Sequence, residues 1–166
     1  GATIGTGSLR RAAEITTFRP DLKVVSIRGN VDTRMGKALS GELDGVVLAA
    51  AGLKRLGWED KITEYLPLEH FMPAVGQGVI AIEARSADKE TSRIIAPLNH
   101  KPTQYIATAE RSFLQTLAGG CQAPIAALAT VSGDTLIIDG MVIDAKANKI
   151  IRDSVTGKVT QAKTLG

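Results

Sequence analysis

The apolar positions of this chain change period several times, and each change marks an element. Leu9, Ala12, Ala13 and Ile15 recur at helical spacing directly after Gly5-Thr6-Gly7-Ser8. This predicts a tight loop opening a helix with Ser8 as its N-cap, because a serine oxygen can accept from the unpartnered N–H groups of a first turn. Phe18-Arg19-Pro20-Asp21 breaks the pattern, and Lys23-Val24-Val25-Ser26-Ile27 reads as a short strand rich in β-branched residues. Arg28-Gly29-Asn30 is then a turn, Val31 to Leu39 a short helix, and Ser40 to Asp44 a loop. Gly45 to Ala51 is a continuous apolar run, expected as a strand buried on both faces and ended by Gly52, with Leu53 to Trp58 a further short helix. The order helix, strand, helix, strand, helix predicts a parallel α/β arrangement whose ligand site lies at the strand carboxyl ends.

Farther on, Lys61 to Leu66 is strand-like, Phe71 to Gly78 holds two glycines around Gln77, and Val79 to Glu83 reads as another buried strand. Asp88 to Ala96 is a short helix that Pro97 ends. From Pro102 the pattern becomes an amphipathic helix, with Tyr105, Ile106, Ala109, Phe113, Leu114 and Leu117 on its apolar side and Glu110 and Arg111 off it. Ala118 to Pro124 terminates that helix. Ile125 to Val131, Thr135 to Ile143 and Lys149 to Thr156 then read as three strands joined by Ser132-Gly133-Asp134 and Asp144 to Asn148. A helix on a three-stranded antiparallel meander is a small α+β domain, so the class changes near Pro97.

Composition narrows the function classes. With 166 residues, 44% of them apolar, the chain can bury one good core or two small ones. A net charge of +3 with both signs interspersed requires no polyanion partner, and 4% aromatic content is thin for stacking on nucleic acid. No apolar run approaches the ~20 residues that span a bilayer, so no membrane association is expected. A single cysteine, Cys121, excludes an internal disulfide framework and suits a reducing compartment, which makes a cytoplasmic location the expectation. His70 and His100 have no metal-ligand spacing with each other or with Cys121, so no metal site is expected.

Arginine is the residue type that suggests chemistry. Arg10 and Arg11 follow the predicted N-cap, Arg28 and Arg34 flank one strand end, and Arg55 follows the next. Helix N-terminal amides attract anions, and guanidinium forks match carboxylates and phosphates, so these positions suggest an anion cleft. The bland alternative, that each arginine covers its own patch of surface, stands beside it. Gln77 between its glycines is either an amide donor near a ligand or part of a plain turn. Cys121 is either a small buried residue or, on a loop stripped by Gly119 and Gly120, a nucleophile.

Six stretches carry a resemblance: Gly5-Thr6-Gly7-Ser8-Leu9-Arg10-Arg11, Arg28 to Arg34, Leu48 to Arg55, Pro73 to Gly78, Glu110 to Leu114, and Gly119-Gly120-Cys121. In this order they resemble the porphobilinogen deaminases, or hydroxymethylbilane synthases. The resemblance implies a fragment lacking most of the family's first domain and its C-terminal helices. It implies a periplasmic-binding-protein-like parallel domain over residues 1–78, a segment 79–96 that returns toward the absent first domain, and a cofactor-bearing α+β domain over 97–166.

The implied activity is head-to-tail joining of four porphobilinogens, each losing ammonia, onto a dipyrromethane cofactor. Hydrolysis then releases hydroxymethylbilane for tetrapyrrole synthesis. Each pyrrole carries an acetate and a propionate, which explains a need for many arginines. By resemblance Cys121 bears the cofactor as a thioether, with Ser8, Arg10, Arg11 and Arg28 as cofactor ligands and Arg34, Arg55, Asn30, Gly52 and Gln77 on the substrate side. Gly7 departs from the serine expected there. The family's catalytic aspartate has no counterpart in this chain: Asp32 and Asp44 read as a helix-start and a turn residue, and the chain alone is expected to be inactive. The complete protein is expected to be a monomer acting on a small molecule. The reading from another class is a non-catalytic module that binds a dicarboxylate or phosphorylated ligand.

Overall fold

The structure, a computed structural model, describes residues 1–117, 124–144 and 149–166. Contacts divide it into two bodies, one built on Gly1–Met72 and one on residues 73–117, 125–141 and 152–166.

The first body is a parallel α/β unit. It runs β1 (Thr3–Thr6), α1 (Leu9–Phe18), β2 (Lys23–Ser26), α2 (Val31–Leu39), β3 (Gly45–Val46) and α3 (Ala50–Arg55). The sheet order is β2-β1-β3, with both pairings parallel: Thr3 lies opposite Lys23 and Ile4 opposite Gly45. Ile15, Ile27, Met35, Leu43, Leu53 and Met72 form its buried interior.

Several expectations change here. The central strand β1 has no counterpart in the sequence reading, because four residues that include a glycine carry almost no periodicity. The apolar run from Gly45 to Ala51 is a strand only at Gly45–Val46, and its residues are half-buried or exposed, not sealed on both faces. Val47 N–H still donates to Gly5 O at 2.9 Å, but the alanines from Ala50 onward have already turned helical, as their high helix propensity favours. Lys61 to Leu66 forms no strand; a single 3-10 turn, Glu59–Lys61, precedes it. Val79 to Glu83 is likewise no strand, and Ile80 is 91% exposed, because no described segment offers it a hydrogen-bonding ladder.

The second body contains α4 (Lys89–Ile95), capped by the Asp88 carboxylate on Thr91 N–H at 2.9 Å, and the longer α5 (Lys101–Thr116). An antiparallel sheet follows, in the order β4 (Ile125–Ser132), β5 (Thr135–Asp144), β6 (Lys149–Lys158), of which residues 125–141 and 152–158 belong to this body, and the chain closes with α6 (Ala162–Leu165). Alternating residues of β4 and β5 face α5, so that Ala129, Leu136 and Ile138 pack with Ala109, Val159 and Ala162 under Tyr105, Ile106 and Phe113. Gly140 lies against the Phe113 ring: a Cβ there would stand 2.6 Å from Cζ. The mixed α/β class expected from the sequence is thus present, as a parallel and an antiparallel three-stranded sheet.

Candidate functional site

Because β1 lies between β2 and β3, the chain winds to one side of it through α1 and to the other through α2, and the crevice of such a sheet opens beyond the strand carboxyl ends. That end of β1 is Thr6-Gly7-Ser8. Thr6 is buried and its Oγ1 accepts from Ser8 N–H at 3.3 Å, while Ser8 Oγ accepts from Arg11 N–H at 3.3 Å. Ser8 is therefore the N-cap that the sequence predicts. Its hydroxyl proton and the first-turn dipole of α1 present donors to whatever sits above the loop.

Two guanidiniums meet there. Arg11 extends toward the end of β3, with Nη1 3.5 Å from Val47 O. Arg34, from α2, donates from Nε to Gly29 O at 2.7 Å and rests over Gly7, where a Cβ would stand 3.4 Å from its Nη1. Burial lowers the Arg11 pKa from its ordinary value; the neighbouring charges of Arg10 and Arg34 lower it further, with Glu14 opposing. Neither Arg11 nor Arg34 forms an ion pair among the described residues. An anion placed between the two guanidiniums would relieve their mutual repulsion and offset the desolvation of Arg11.

Arg10 is placed differently. It is 8% exposed, and its Nη1 donates to Glu14 Oε1 at 3.0 Å, to Glu14 Oε2 at 2.9 Å and to the Met72 carbonyl. Glu14, 1% exposed, has its pKa pushed up to about 7, because loss of hydration outweighs the stabilising Arg10 charge and hydrogen bond. The sequence reading missed Glu14. Its signal was the four-residue spacing to Arg10, which puts both side chains on one face.

Arg28 and Asn30 are exposed on the turn after β2, and Asn30 caps α2 without a side-chain hydrogen bond. Gly52 lies inside α3, where a Cβ would stand 3.7 Å from Val31 Cγ2. Arg55 is exposed at the far end of α3. The structure thus gathers Ser8, Arg11 and Arg34, sets Arg28 and Asn30 on the adjoining turn, and directs Arg10 inward. Asp32 sits in the first turn of α2, and Asp44 accepts from Thr3 N–H at 2.7 Å, the helix-start and turn positions expected of them.

Gln77 belongs to the second body. Its N–H donates to Ala74 O at 2.9 Å, its Oε1 accepts from Ala74 N–H at 3.3 Å, and Gly76 and Gly78 take φ of +69° and +88°. Gly76 N–H donates to Glu110 Oε2 at 2.7 Å, and Ala129 N–H to Glu110 Oε1 at 2.9 Å. Glu110 is therefore buried among the residues expected to exclude it, at 5% exposure. It stands four residues after Ile106 and three before Phe113, which is the buried stripe, and two backbone donors replace its lost water. Burial raises its pKa, and those two N–H groups partly offset the rise.

Cys121 lies outside the described residues. His70 stacks on Phe18 with centroids 4.2 Å apart, and His100 Nδ1 is 2.8 Å from Thr103 Oγ1. A cleft of about 630 Å³ in the second body, bordered by Val79, Ile82, Leu98, Thr103 and Arg111, contains none of the residues expected from the sequence to bind ligand. Among the described residues, no helix is long and apolar enough to cross a membrane.

A parallel sheet whose central strand ends at a capped helix start, beneath two arginines that form no ion pair among the described residues, defines an α/β protein with a cationic strand-end site. A family model described as porphobilinogen deaminase, dipyromethane cofactor binding domain, matches residues 1–93, and one described as porphobilinogen deaminase, C-terminal domain, matches residues 105–166. Similar curated proteins include the porphobilinogen deaminases of Syntrophus aciditrophicus and Geobacter metallireducens, both 49% identical over all 166 residues, which cover 54% and 52% of those relatives. That of Roseiflexus sp. is 48% identical over the same length and 54% of its own. The chain belongs to the porphobilinogen deaminase family, and it spans about half the length of the curated relatives it matches.

Proposed function

We propose that this chain provides the carboxylate-binding and cofactor-bearing part of a porphobilinogen deaminase, which joins four porphobilinogens with loss of ammonia and releases hydroxymethylbilane by hydrolysis. The observation that carries the reading is the half-buried pair Arg11 and Arg34, unpaired among the described residues, at the carboxyl end of the central strand. A pyrrole with an acetate and a propionate supplies the missing negative charge. The cofactor-domain match over residues 1–93, which contain this pair, favours the enzyme over a non-catalytic anion-binding module.

The residues present fit a dipyrromethane. In this reading Ser8, Arg11 and Arg28 hold its carboxylates, Arg34 and Asn30 receive those of incoming substrate, Gly52 lies beside the start of α2, and Gln77, in the other body, is by itself a further donor to a substrate carboxylate. Arg55 would reach substrate only as the chain lengthens. Arg10 is assigned a bracing role through Glu14, where the sequence suggested direct contact. When bound, the cofactor supplies the pyrrole carbon to which new rings are joined. Paired guanidiniums orient each ring by two-point contact and neutralise charge that would otherwise repel the next substrate.

Cys121 is proposed as the attachment point: its sulfur bonds to the methylene carbon of porphobilinogen as the carbon–nitrogen bond breaks, and the thiol proton leaves with the departing ammonia. In this reading the parallel body over Gly1–Met72, and not the whole of 1–78, is the periplasmic-binding-protein-like domain, and 97–166 the cofactor-bearing one, in a cytoplasmic monomer. Denatured-protein mass spectrometry tests the assignment, with this sequence expressed at the relatives' full length in cells that make porphobilinogen. Wild type should carry a covalent dipyrrole on Cys121, and Cys121→Ser should fold, carry none and fail to turn over. An adduct on another residue overturns it.

A further inference from the structure

The loop around Gln77 is shaped locally and fastened remotely. Its internal hydrogen bonds, Gln77 N–H to Ala74 O and Val79 N–H to Gly76 O at 3.1 Å, fix two successive turns. Neither attaches the loop to the rest of the body. Attachment comes from Gly76 N–H to Glu110 Oε2, across 34 positions of sequence. The same carboxylate holds β4 through Ala129 N–H, across 19 positions. One buried side chain of α5 thus fixes the loop and the sheet in a common frame.

We infer that Glu110 is a positioning residue for ligand recognition, holding the Gly76-Gln77-Gly78 turn so that the Gln77 amide nitrogen donates to a substrate carboxylate. The inference rests on the reading of Gln77 as a substrate ligand. The chemistry of the clamp is specific to a carboxylate. Its two oxygens accept from two N–H groups at once, whereas a glutamine in the same place has one acceptor and turns an N–H donor toward the other backbone donor. The left-handed φ of +69° at Gly76 sets the direction of that N–H, so the attachment and the turn depend on each other. With Gln77 Oε1 occupied by Ala74 N–H, its Nε2 is left for a ligand, and a displacement of about 1 Å at the turn is enough to spoil a hydrogen bond.

The test uses this sequence at the relatives' full length, as wild type, Glu110→Gln, Gln77→Ala and the double variant, with amide hydrogen exchange, adduct mass and steady-state kinetics on porphobilinogen. Wild type should protect Gly76 N–H alongside Ala129 N–H. Glu110→Gln should keep fold and adduct, exchange Gly76 N–H about tenfold faster and raise KM about tenfold, with kcat changed less than about twofold. Gln77→Ala should raise KM similarly, and the double variant should add little, which a purely structural role would not produce. A Gly76 amide unprotected in wild type overturns the inference even if Glu110→Gln fails to fold. Unchanged KM in a folded Glu110→Gln, unchanged KM in Gln77→Ala, or full additivity overturns it as well. If wild type forms neither adduct nor product, the proposed function falls, while Gly76 exchange still decides the clamp.

Discussion

Arg10 and Glu14 face each other one turn apart on the buried side of α1, and a single guanidinium nitrogen serves both carboxylate oxygens and the Met72 carbonyl. Breaking the pair by Glu14→Ala leaves a buried cation without its partner and should cost about 3–5 kcal/mol in chemical denaturation. Glu14→Gln, which keeps an acceptor, should lose less.

The same pair predicts a pH dependence. Burial raises the Glu14 pKa from 4.5 to about 7, so the folded state binds this proton more tightly than the unfolded chain does. The stabilisation is complete below 4.5 and is lost as pH rises through about 7. Urea denaturation across that window should show wild type losing stability relative to Glu14→Gln; a gain with rising pH would contradict it.

Arg11 predicts a conflict between stability and binding. Replacing it by Gln removes a half-buried cation from beside Arg10 and Arg34, so the ligand-free protein should gain about 0.5–1 kcal/mol. Thermal denaturation with and without succinate checks the other half: the dicarboxylate should raise the wild-type Tm and leave that of Arg11→Gln almost unchanged.

Gly7 should not tolerate the serine that the family resemblance suggests. A Cβ there would stand 2.8 Å from Ile27 O, a backbone atom, and 3.4 Å from Arg34 Nη1. Gly7→Ser should lose about 1–3 kcal/mol and weaken the succinate response, because clearing Ile27 O displaces the loop beneath Arg34. An added hydroxyl that instead strengthens the response would show that the loop relaxes freely.

In the second body, Gly140→Ala should destabilise by a similar amount, about 1–3 kcal/mol, because the new methyl meets the Phe113 ring at 2.6 Å. Phe113→Leu in the same background should recover part of the loss, which a double-mutant cycle measures.

What the sequence made legible was whatever repeats. Val31–Leu39, the Ser8 cap and the β4–β5 meander follow from periodicity and capping chemistry, and the structure has them. β1 is illegible because four residues define no period, and it is identified by its two neighbours in space. Val79 to Glu83 misleads for the opposite reason: its pattern is strand-like, but a strand exists only with a partner. The arginines were legible as residue types and the Arg10–Glu14 spacing lay in the sequence too, but the Met72 carbonyl that also accepts from Arg10 lies 62 positions away. Glu110 was hidden by the expectation that a charge faces water, although its spacing put it on the buried stripe.

The strand order β2-β1-β3 also has a bearing on time. Pairing Thr3 with Lys23 closes a short crossover, whereas pairing Ile4 with Gly45 closes one about twice as long, and closure entropy grows with the enclosed length. The approach of Arg11 to Val47 O belongs to that second closure, so this arrangement of the strand end requires β3 to be paired. For the proposed carboxylate binding, the expected consequence is a ligand that slows unfolding and leaves the folding rate unchanged, which stopped-flow refolding and unfolding with and without succinate would measure.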